Sequence, residues 1–146
     1  MNINYYHATR SVVEDGKLGC GAHTDYGMLT LLMTDAVPGL QIKGRATAEE
    51  EDVWIDVNPR EGHFIVNVGD LMERWSNGKY AANLHRVVNA SGRERMSVAF
   101  FFEPHLSAVV SPVPSCCLQG KPKYDDVVFG EWLASKYHDT GELDSS

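Results

Sequence analysis

The stretch Gly21-Ala22-His23-Thr24-Asp25-Tyr26-Gly27 places an imidazole and a carboxylate two residues apart. In a β-strand, side chains two residues apart point to the same face, so His23 and Asp25 can reach one metal ion from one side. A third ligand must come from elsewhere, and His85, in the strand-like run 84–88, is the best candidate. Two histidines and one carboxylate form the facial triad that holds Fe(II) in non-haem oxygenases. The His-x-Asp triplet alone is a weak signal, because it also occurs in ordinary polar turns.

A second same-face pair, Arg95 and Ser97, follows ten residues after His85. A guanidinium holds a carboxylate through two parallel hydrogen bonds, and a neighbouring hydroxyl can add a third. The apolar run 98–102 that comes next is typical of a buried strand, and a charged residue entering such a strand needs a partner. The pair therefore suits the remote carboxylate of a dicarboxylic co-substrate. The alternative is a surface arginine with a polar neighbour.

Short strand-like runs separated by turn residues dominate the first two thirds of the chain and predict a sandwich, barrel or jelly roll. The runs are 3–8, 28–34, 40–43, 53–57, 64–68, 84–88 and 95–102. A short helix is predicted to begin at Asp70, which with Glu73 resembles a capping box, and to end at Asn77-Gly78. A second, amphipathic helix is predicted over 127–138.

Composition and charge exclude several classes of protein. Of the 146 residues, 43% are hydrophobic and 23% charged, as in an ordinary globular protein. The net charge of −7 argues against a nucleic-acid-binding surface. No apolar run approaches the roughly 20 residues that span a bilayer, and residues 1–10 lack the pattern of a signal peptide. The acidic run 49–52 is interpreted as a solvated loop.

The three cysteines, Cys20, Cys116 and Cys117, are a poor disulfide framework, because their number is odd and two are adjacent. We therefore expect a cytoplasmic protein with no nucleic-acid or membrane partner. The sequence does not specify its oligomeric state.

Seven short motifs occur in the order found in one protein family. They are Asn4-Tyr5-Tyr6, the stretch 21–27, Val37-Pro38-Gly39-Leu40-Gln41, Asn67-Val68-Gly69-Asp70, Trp75-Ser76-Asn77-Gly78-Lys79-Tyr80, Leu84-His85-Arg86-Val87 and Arg95-Met96-Ser97. Through these motifs, residues 3–104 resemble the C-terminal catalytic domain of the 2-oxoglutarate- and Fe(II)-dependent dioxygenases of the isopenicillin N synthase-like group. One departure is His7, which stands where the family usually has proline.

The resemblance implies an all-β core with a few helices, arranged as a double-stranded β-helix, or jelly roll. It implies that His23, Asp25 and His85 bind Fe(II), and that 2-oxoglutarate and O2 are co-substrates. The expected reaction couples oxidative decarboxylation of 2-oxoglutarate to the oxidation of a small organic substrate by hydroxylation, desaturation or ring closure.

The resemblance also implies roles for residues at the other end of the site. Arg95 and Ser97 would hold the distal carboxylate of 2-oxoglutarate, with help from Tyr6 and Asn4. Phe101, which shares a strand face with Arg95 and Ser97, would approach the substrate; the strand period of two independently supports this placement.

The domain expectation is a single catalytic domain over 1–146, with a core at 3–104 and a C-terminal extension containing a helix at 105–146. The family's usual N-terminal segment is expected to be absent. Two other functions remain open: an iron-dependent oxidase of the same fold that does not use 2-oxoglutarate, and a non-catalytic binding module that keeps the fold.

Overall fold

Short strands account for most of the regular structure in the computed structural model, which describes residues 1–44, 53–117 and 120–140. The strands are β1 (Asn2–Tyr6), β2 (Cys20–His23), β3 (Leu29–Thr34), β4 (Leu40–Lys43), β5 (Trp54–Asp56), β6 (Ile65–Val68), β7 (His85–Val87), β8 (Arg95–Phe102), β9 (Val109–Val110) and β10 (Val127–Val128). The helices are α1 (Asp70–Trp75) and α2 (Phe129–Asp139), with a 3-10 turn at Pro114–Cys116. This composition confirms the expected all-β core with a few helices. The acidic run 49–52 lies outside the described residues.

The strands form two four-stranded sheets, in the orders β1-β8-β3-β6 and β2-β7-β4-β5, and a ribbon of β9 and β10. In the second sheet β2 pairs with β7, β7 with β4 and β4 with β5, and all three pairs are antiparallel. Most neighbouring strands are far apart in the sequence, so the turns alone do not specify the pairing. None of the helices in the described ranges is long and apolar enough to cross a membrane.

The chain divides into two compact units. The first comprises the described parts of Met1–Thr24, Leu31–Asn67 and Asn83–Phe100, and it contains the sheet β2-β7-β4-β5. Within this sheet the guanidinium carbon of Arg86 lies 4.1 Å from the Trp54 ring centre. The Nε of Arg86 donates to Gln41 Oε1 at 2.8 Å. These contacts tie β7 to β4 and β5.

The second unit comprises the described parts of Asp25–Thr30, Val68–Ala82 and Phe101–Ser146. Its core is formed by three buried side chains, one each from α1, β9 and α2, against which four partly buried side chains pack. The buried residues are Leu71, Val110 and Phe129, and the others are Met28, Val127, Trp132 and Leu133. The second predicted helix thus begins two residues late, because Val127 and Val128 pair with β9.

The beginning of α1 differs from the sequence prediction. Gly69 is the N-cap and Asp70 is the first helical residue, so the expected capping box is wrong. The Asp70 carboxylate instead pairs with Lys136 of α2 at 2.9 Å. The helix ends at Trp75 with Ser76 as its C-cap, slightly before the predicted Asn77-Gly78, and these two residues follow it with positive φ angles of 53° and 82°. At the beginning of α1, the ion pair of Asp70 with Lys136 therefore takes the place of the side-chain cap that the sequence suggested.

Glu73 is held by partners outside its own helix. Its carboxylate accepts hydrogen bonds from the Tyr124 hydroxyl at 2.7 Å and from the Ala82 N–H at 2.9 Å. Burial by itself raises the pKa of Glu73, but these two hydrogen bonds and the charge of Lys123 outweigh burial and leave the pKa below its ordinary value. Glu73 therefore joins α1 to the segments 80–82 and 123–124.

Candidate active site

Strand pairing brings the two predicted histidine ligands together. His23 lies directly opposite His85 where β2 pairs with β7, and their ring centres are 4.3 Å apart. The Nδ1 atoms of the two rings lie 2.8 Å from the Gly21 carbonyl and 3.0 Å from the Asn83 carbonyl, respectively. Because a carbonyl only accepts, Nδ1 carries the proton in both rings. The lone pair of each neutral ring is then on Nε2, an atom that commonly binds a metal.

Asp25 reaches the histidines from a loop rather than from a strand. β2 ends at His23, so the expectation that His23 and Asp25 share a strand face is wrong. The loop is fixed by α1, whose first N–H groups have no acceptors within the helix. The Asp70 N–H donates to the Asp25 carbonyl at 2.8 Å, and the Leu71 N–H donates to the Gly27 carbonyl at 3.1 Å.

Gly69 permits this close approach of the loop to α1. Its N–H donates to the Met28 carbonyl at 3.0 Å. A Cβ atom at position 69 would collide with the Gly27 carbonyl oxygen and would lie 2.9 Å from the Asp25 carbonyl oxygen. Both obstacles are main-chain atoms, which cannot turn aside as a flexible side chain can. Glycine is therefore required where β6 leads into α1.

His23, Asp25 and His85 can bind one metal ion together. One ligand atom from each side chain lies within 4.8 Å of the other two. Two neutral imidazole nitrogens and one carboxylate oxygen are the donor set that suits Fe(II) in non-haem sites. Asp25 is buried, His85 is partly buried and His23 is exposed, so the cluster has a solvated side. The residues present therefore fit an iron ion.

Thr30 is a neighbour of Asp25 that sequence reasoning missed. It lies on β3, is 4% exposed, and its Oγ1 donates to Asp25 Oδ2 at 2.5 Å. Nothing in the local sequence distinguishes Thr30 from Thr34, the other threonine of β3. Only the fold of the loop 25–28 brings its hydroxyl to the carboxylate.

The four residues predicted to hold 2-oxoglutarate also lie together. In the antiparallel pairing of β1 with β8, Asn4 lies opposite Ser97 and Tyr6 lies opposite Arg95. The Tyr6 ring centre is 5.0 Å from the Arg95 guanidinium carbon, within the range of a cation–π contact. Arg95 donates from Nη1 to Ser97 Oγ at 3.4 Å and from Nε to the Val37 carbonyl at 3.3 Å.

The alternation along β8 is the reverse of that in an ordinary strand. Arg95 and Ser97 are 1% and 3% exposed, whereas Met96 and Phe100 are 48% and 49% exposed. A strand that only built a hydrophobic core would bury the methionine and the phenylalanine. The buried polar face of β8 therefore indicates a site, and Phe101, which is partly buried, follows the alternation of Arg95 and Ser97.

Arg95 is buried with no ionic partner in the described part of the chain. Within the described ranges no carboxylate pairs with its guanidinium, which contacts the Ser97 hydroxyl, the Val37 carbonyl and the Tyr6 ring. Burying a charge is costly unless an opposite charge compensates it. The arrangement is therefore suited to a bound anion, and above all to a carboxylate, which matches the fork of donors on the guanidinium.

Asn89, a second residue that sequence reasoning missed, organises the turn that leads into β8. It is 1% exposed, and its side-chain amide donates to the His7 and Arg93 carbonyls at 3.2 and 2.8 Å. Its Oδ1 accepts from the Ser91 hydroxyl at 2.9 Å. The turn and the end of β1 are thereby fixed to each other, at the point where Arg95 begins β8.

Comparison with known proteins gives a consistent result. Residues 1–104 match the model of the 2OG-Fe(II) oxygenase superfamily. The chain is 44% identical over 127 residues to the 2-oxoglutarate-Fe(II) type oxidoreductase hxnY of Emericella nidulans, covering 85% of this chain and 35% of that protein. It is 46% identical over 121 residues to the homoarginine-6-hydroxylase 2-ODD-233 of Oryza sativa subsp. japonica, covering 81% of this chain and 35% of that protein.

A solved structure extends the likeness to three dimensions. Full-length Neurospora crassa T7H in complex with alpha-KG superposes with a TM-score of 0.82 at 32% identity, covering 93% of this chain and 43% of that one. The described fold is accordingly a double-stranded β-helix, as the sequence resemblance implied. The chain spans about a third of the length of the two curated relatives. With a family match over most of its residues, the chain belongs to the 2OG-Fe(II) oxygenase superfamily.

Proposed function

We propose that this chain carries the catalytic site of a non-haem Fe(II) dioxygenase that couples decarboxylation of 2-oxoglutarate to oxidation of a small organic substrate. The observation that carries the proposal is the cluster of His23, Asp25 and His85, whose ligand atoms lie within 4.8 Å of one another. When bound there, iron with O2 and 2-oxoglutarate supplies the oxidising power for hydroxylation, desaturation or ring closure.

The three ligands have distinct tasks in this proposal. His23 and His85 present Nε2, because the Gly21 and Asn83 carbonyls hold the proton on Nδ1. Asp25 contributes the one negative charge of the set and thereby offsets part of the charge of Fe(II). Two nitrogens and one oxygen from the protein leave three positions of an octahedron for the co-substrates.

Arg95 and Ser97 anchor the distal carboxylate of 2-oxoglutarate in this proposal. The support is the burial of the guanidinium without a carboxylate partner in the described part of the chain, together with the hydroxyl of Ser97 beside it. Tyr6 packs on the guanidinium, and Asn4 stands opposite Ser97 in the register of β1 and β8. These contacts orient the anchor before the co-substrate arrives.

The remaining proposals concern the domain bounds, the substrate and the location of the protein. We place the catalytic core at 3–104 and a helix-containing extension at 105–146, and we assign Phe101 to the wall of the substrate site. The relatives are named for different reactions, so the substrate is proposed only as a small organic molecule. A cytoplasmic location without nucleic-acid or membrane partners is proposed on the net charge of −7 and the cysteine pattern.

The test is the stoichiometry of succinate release. Purified protein with Fe(II) and 2-oxoglutarate is followed for O2 uptake and for succinate, first alone and then with a panel of small organic substrates. We expect one succinate for each O2 consumed, and we expect His85→Ala to abolish both signals.

A matched control is His63→Ala. The Nδ1 atom of His63 lies 2.9 Å from the carbonyl of the residue two positions earlier, as in His23 and His85, but His63 is not part of the cluster. O2 uptake without succinate would favour the oxidase that does not use 2-oxoglutarate. Absence of O2 uptake with every substrate tested would favour the binding module.

A further inference from the structure

Two separate sets of hydrogen bonds hold Asp25, one to its main chain and one to its side chain. Its main chain is fixed by hydrogen bonds from the beginning of α1, as described above. Its side chain accepts a hydrogen bond at Oδ2 from the Thr30 hydroxyl at 2.5 Å, a length typical of a charge-assisted O–H···O⁻ bond. Thr30 and Asp25 are 4% and 9% exposed, so water does not readily replace either partner.

We propose that Thr30 is a positioning residue that favours metal binding through a single oxygen of Asp25, because its hydrogen bond engages Oδ2 of that carboxylate. This inference rests on the proposed function, because it requires that Asp25 bind iron. A carboxylate can bind a metal through one oxygen or through both. Binding through both would take a second coordination position.

The number of coordination positions makes this choice important. With one atom from each of His23, Asp25 and His85, three positions of an octahedron remain. The proposed reaction would need these positions for its co-substrates. If Asp25 used both oxygens, fewer positions would be left for the co-substrates. A donor on Oδ2 opposes this outcome, because the hydrogen bond must break before Oδ2 can bind the metal.

The position of Thr30 in the fold suits this role. It lies on the regular strand β3, so its backbone is fixed by sheet pairing rather than by a mobile loop. Threonine has few side-chain rotamers in a strand, and its hydroxyl therefore keeps a defined direction. Thr34, at the end of the same strand, is partly buried and is not the residue that donates to Asp25 Oδ2, so it offers a matched control.

The experiment compares Thr30→Val, Thr30→Ser and Thr34→Val with wild type. Valine keeps the shape of threonine but cannot donate, whereas serine keeps the hydroxyl. Fe(II) affinity is measured anaerobically, and 2-oxoglutarate is then titrated into the Fe(II) protein while its visible charge-transfer band is recorded. We expect Thr30→Val to weaken Fe(II) binding about tenfold or more, as removal of an outer-shell partner commonly does.

The same variant should also alter the position or intensity of the charge-transfer band, since Asp25 can then bind through both oxygens. Thr30→Ser should restore both readouts to near wild type, and Thr34→Val should change neither. Thr30→Ala tests the same loss of the donor if valine disturbs the strand.

Unchanged iron affinity and an unchanged band in Thr30→Val or Thr30→Ala would overturn the inference. Equal losses in Thr30→Val and Thr30→Ser would also overturn it, because they would indicate packing rather than hydrogen bonding. Failure of the proposed function gives a different result: wild-type protein would then not bind Fe(II), or His85→Ala would bind it as well as wild type does.

Discussion

Replacement of Arg95 tests the proposed co-substrate anchor. Arg95 is 1% exposed, and it has no carboxylate partner within the described residues. If 2-oxoglutarate provides that partner, its distal carboxylate and the guanidinium form a buried, hydrogen-bonded charge pair. Truncating one member of such a pair costs about 2–5 kcal/mol. Because each 1.4 kcal/mol is about tenfold in affinity, Arg95→Ala should weaken 2-oxoglutarate binding about 30-fold or more.

Related variants separate charge from shape. Arg95→Lys should recover only part of the loss, because an ammonium group cannot present the planar fork of a guanidinium. Ser97→Ala should cost about 1 kcal/mol, the value of a single hydrogen bond. Arg93→Ala, an exposed arginine two residues earlier, should bind 2-oxoglutarate like wild type.

Thermal unfolding adds an independent readout. Arg95→Met keeps most of the buried volume but removes the charge. Because that charge has no ionic partner among the described residues, Arg95→Met should not lower the stability by the amount expected for a broken ion pair. In wild type, 2-oxoglutarate with a divalent metal should raise Tm, since ligand binding stabilises the folded state. In Arg95→Met the increase should be much smaller.

The assay is an anaerobic titration of the Fe(II) protein with 2-oxoglutarate, followed by the charge-transfer band. Iron binding should remain close to that of wild type in all the Arg95 variants. Equal 2-oxoglutarate affinity in wild type and Arg95→Ala would refute the anchor. The oxidase that does not use 2-oxoglutarate would then be the better interpretation.

Three further predictions concern the structure around the site. Gly69→Ala should lower the free energy of unfolding by roughly 1–3 kcal/mol through overpacking, and it should weaken Fe(II) binding. Gly21→Ala, which has open space at its Cβ, should do neither. Equal urea midpoints for the two variants would contradict this prediction. The lowered pKa of Glu73 contributes stability that is present above the ordinary carboxyl pKa of 4.5 and is lost as the pH falls through the lower folded value. Tyr124→Phe should therefore move the acid-unfolding midpoint to higher pH, and an unmoved midpoint would count against the contact. All three cysteines should react with a thiol label after denaturation without reductant, and a Cys116–Cys117 disulfide in fresh protein would contradict this.

Local sequence pattern predicted seven of the ten strands in the described residues, all but β2, β9 and β10, but it did not predict their partners. The run 95–102 coincides with β8, because alternation along a strand is a local property. The pairing of His23 with His85 involves strands that are far apart in the sequence. The strand-like run 84–88 and the family motifs pointed to His85 as a ligand, but no local pattern predicted this register. The same motifs suggested Asn4 and Tyr6, which the register then placed opposite Ser97 and Arg95.

The errors arose where tertiary contacts override local rules. Asp25 was expected on a strand, but the free N–H groups of α1 bind the carbonyls of its loop and draw the chain away from β2. Asp70 was expected to cap α1, yet its carboxylate pairs with Lys136, which is distant in sequence. Thr30 carried no signal at all, because its role depends on where that loop places Asp25.

The most direct test of the iron site is the stoichiometry of Fe(II) binding in the ligand variants. Apo-protein is dialysed anaerobically against Fe(II), and the bound iron is determined for each chain. Wild type and His63→Ala should bind about one Fe(II) per chain, as one triad requires. Asp25→Ala, His23→Ala and His85→Ala should each lose most of it. Unchanged stoichiometry in both His23→Ala and His85→Ala would contradict the assignment of these residues as the iron ligands.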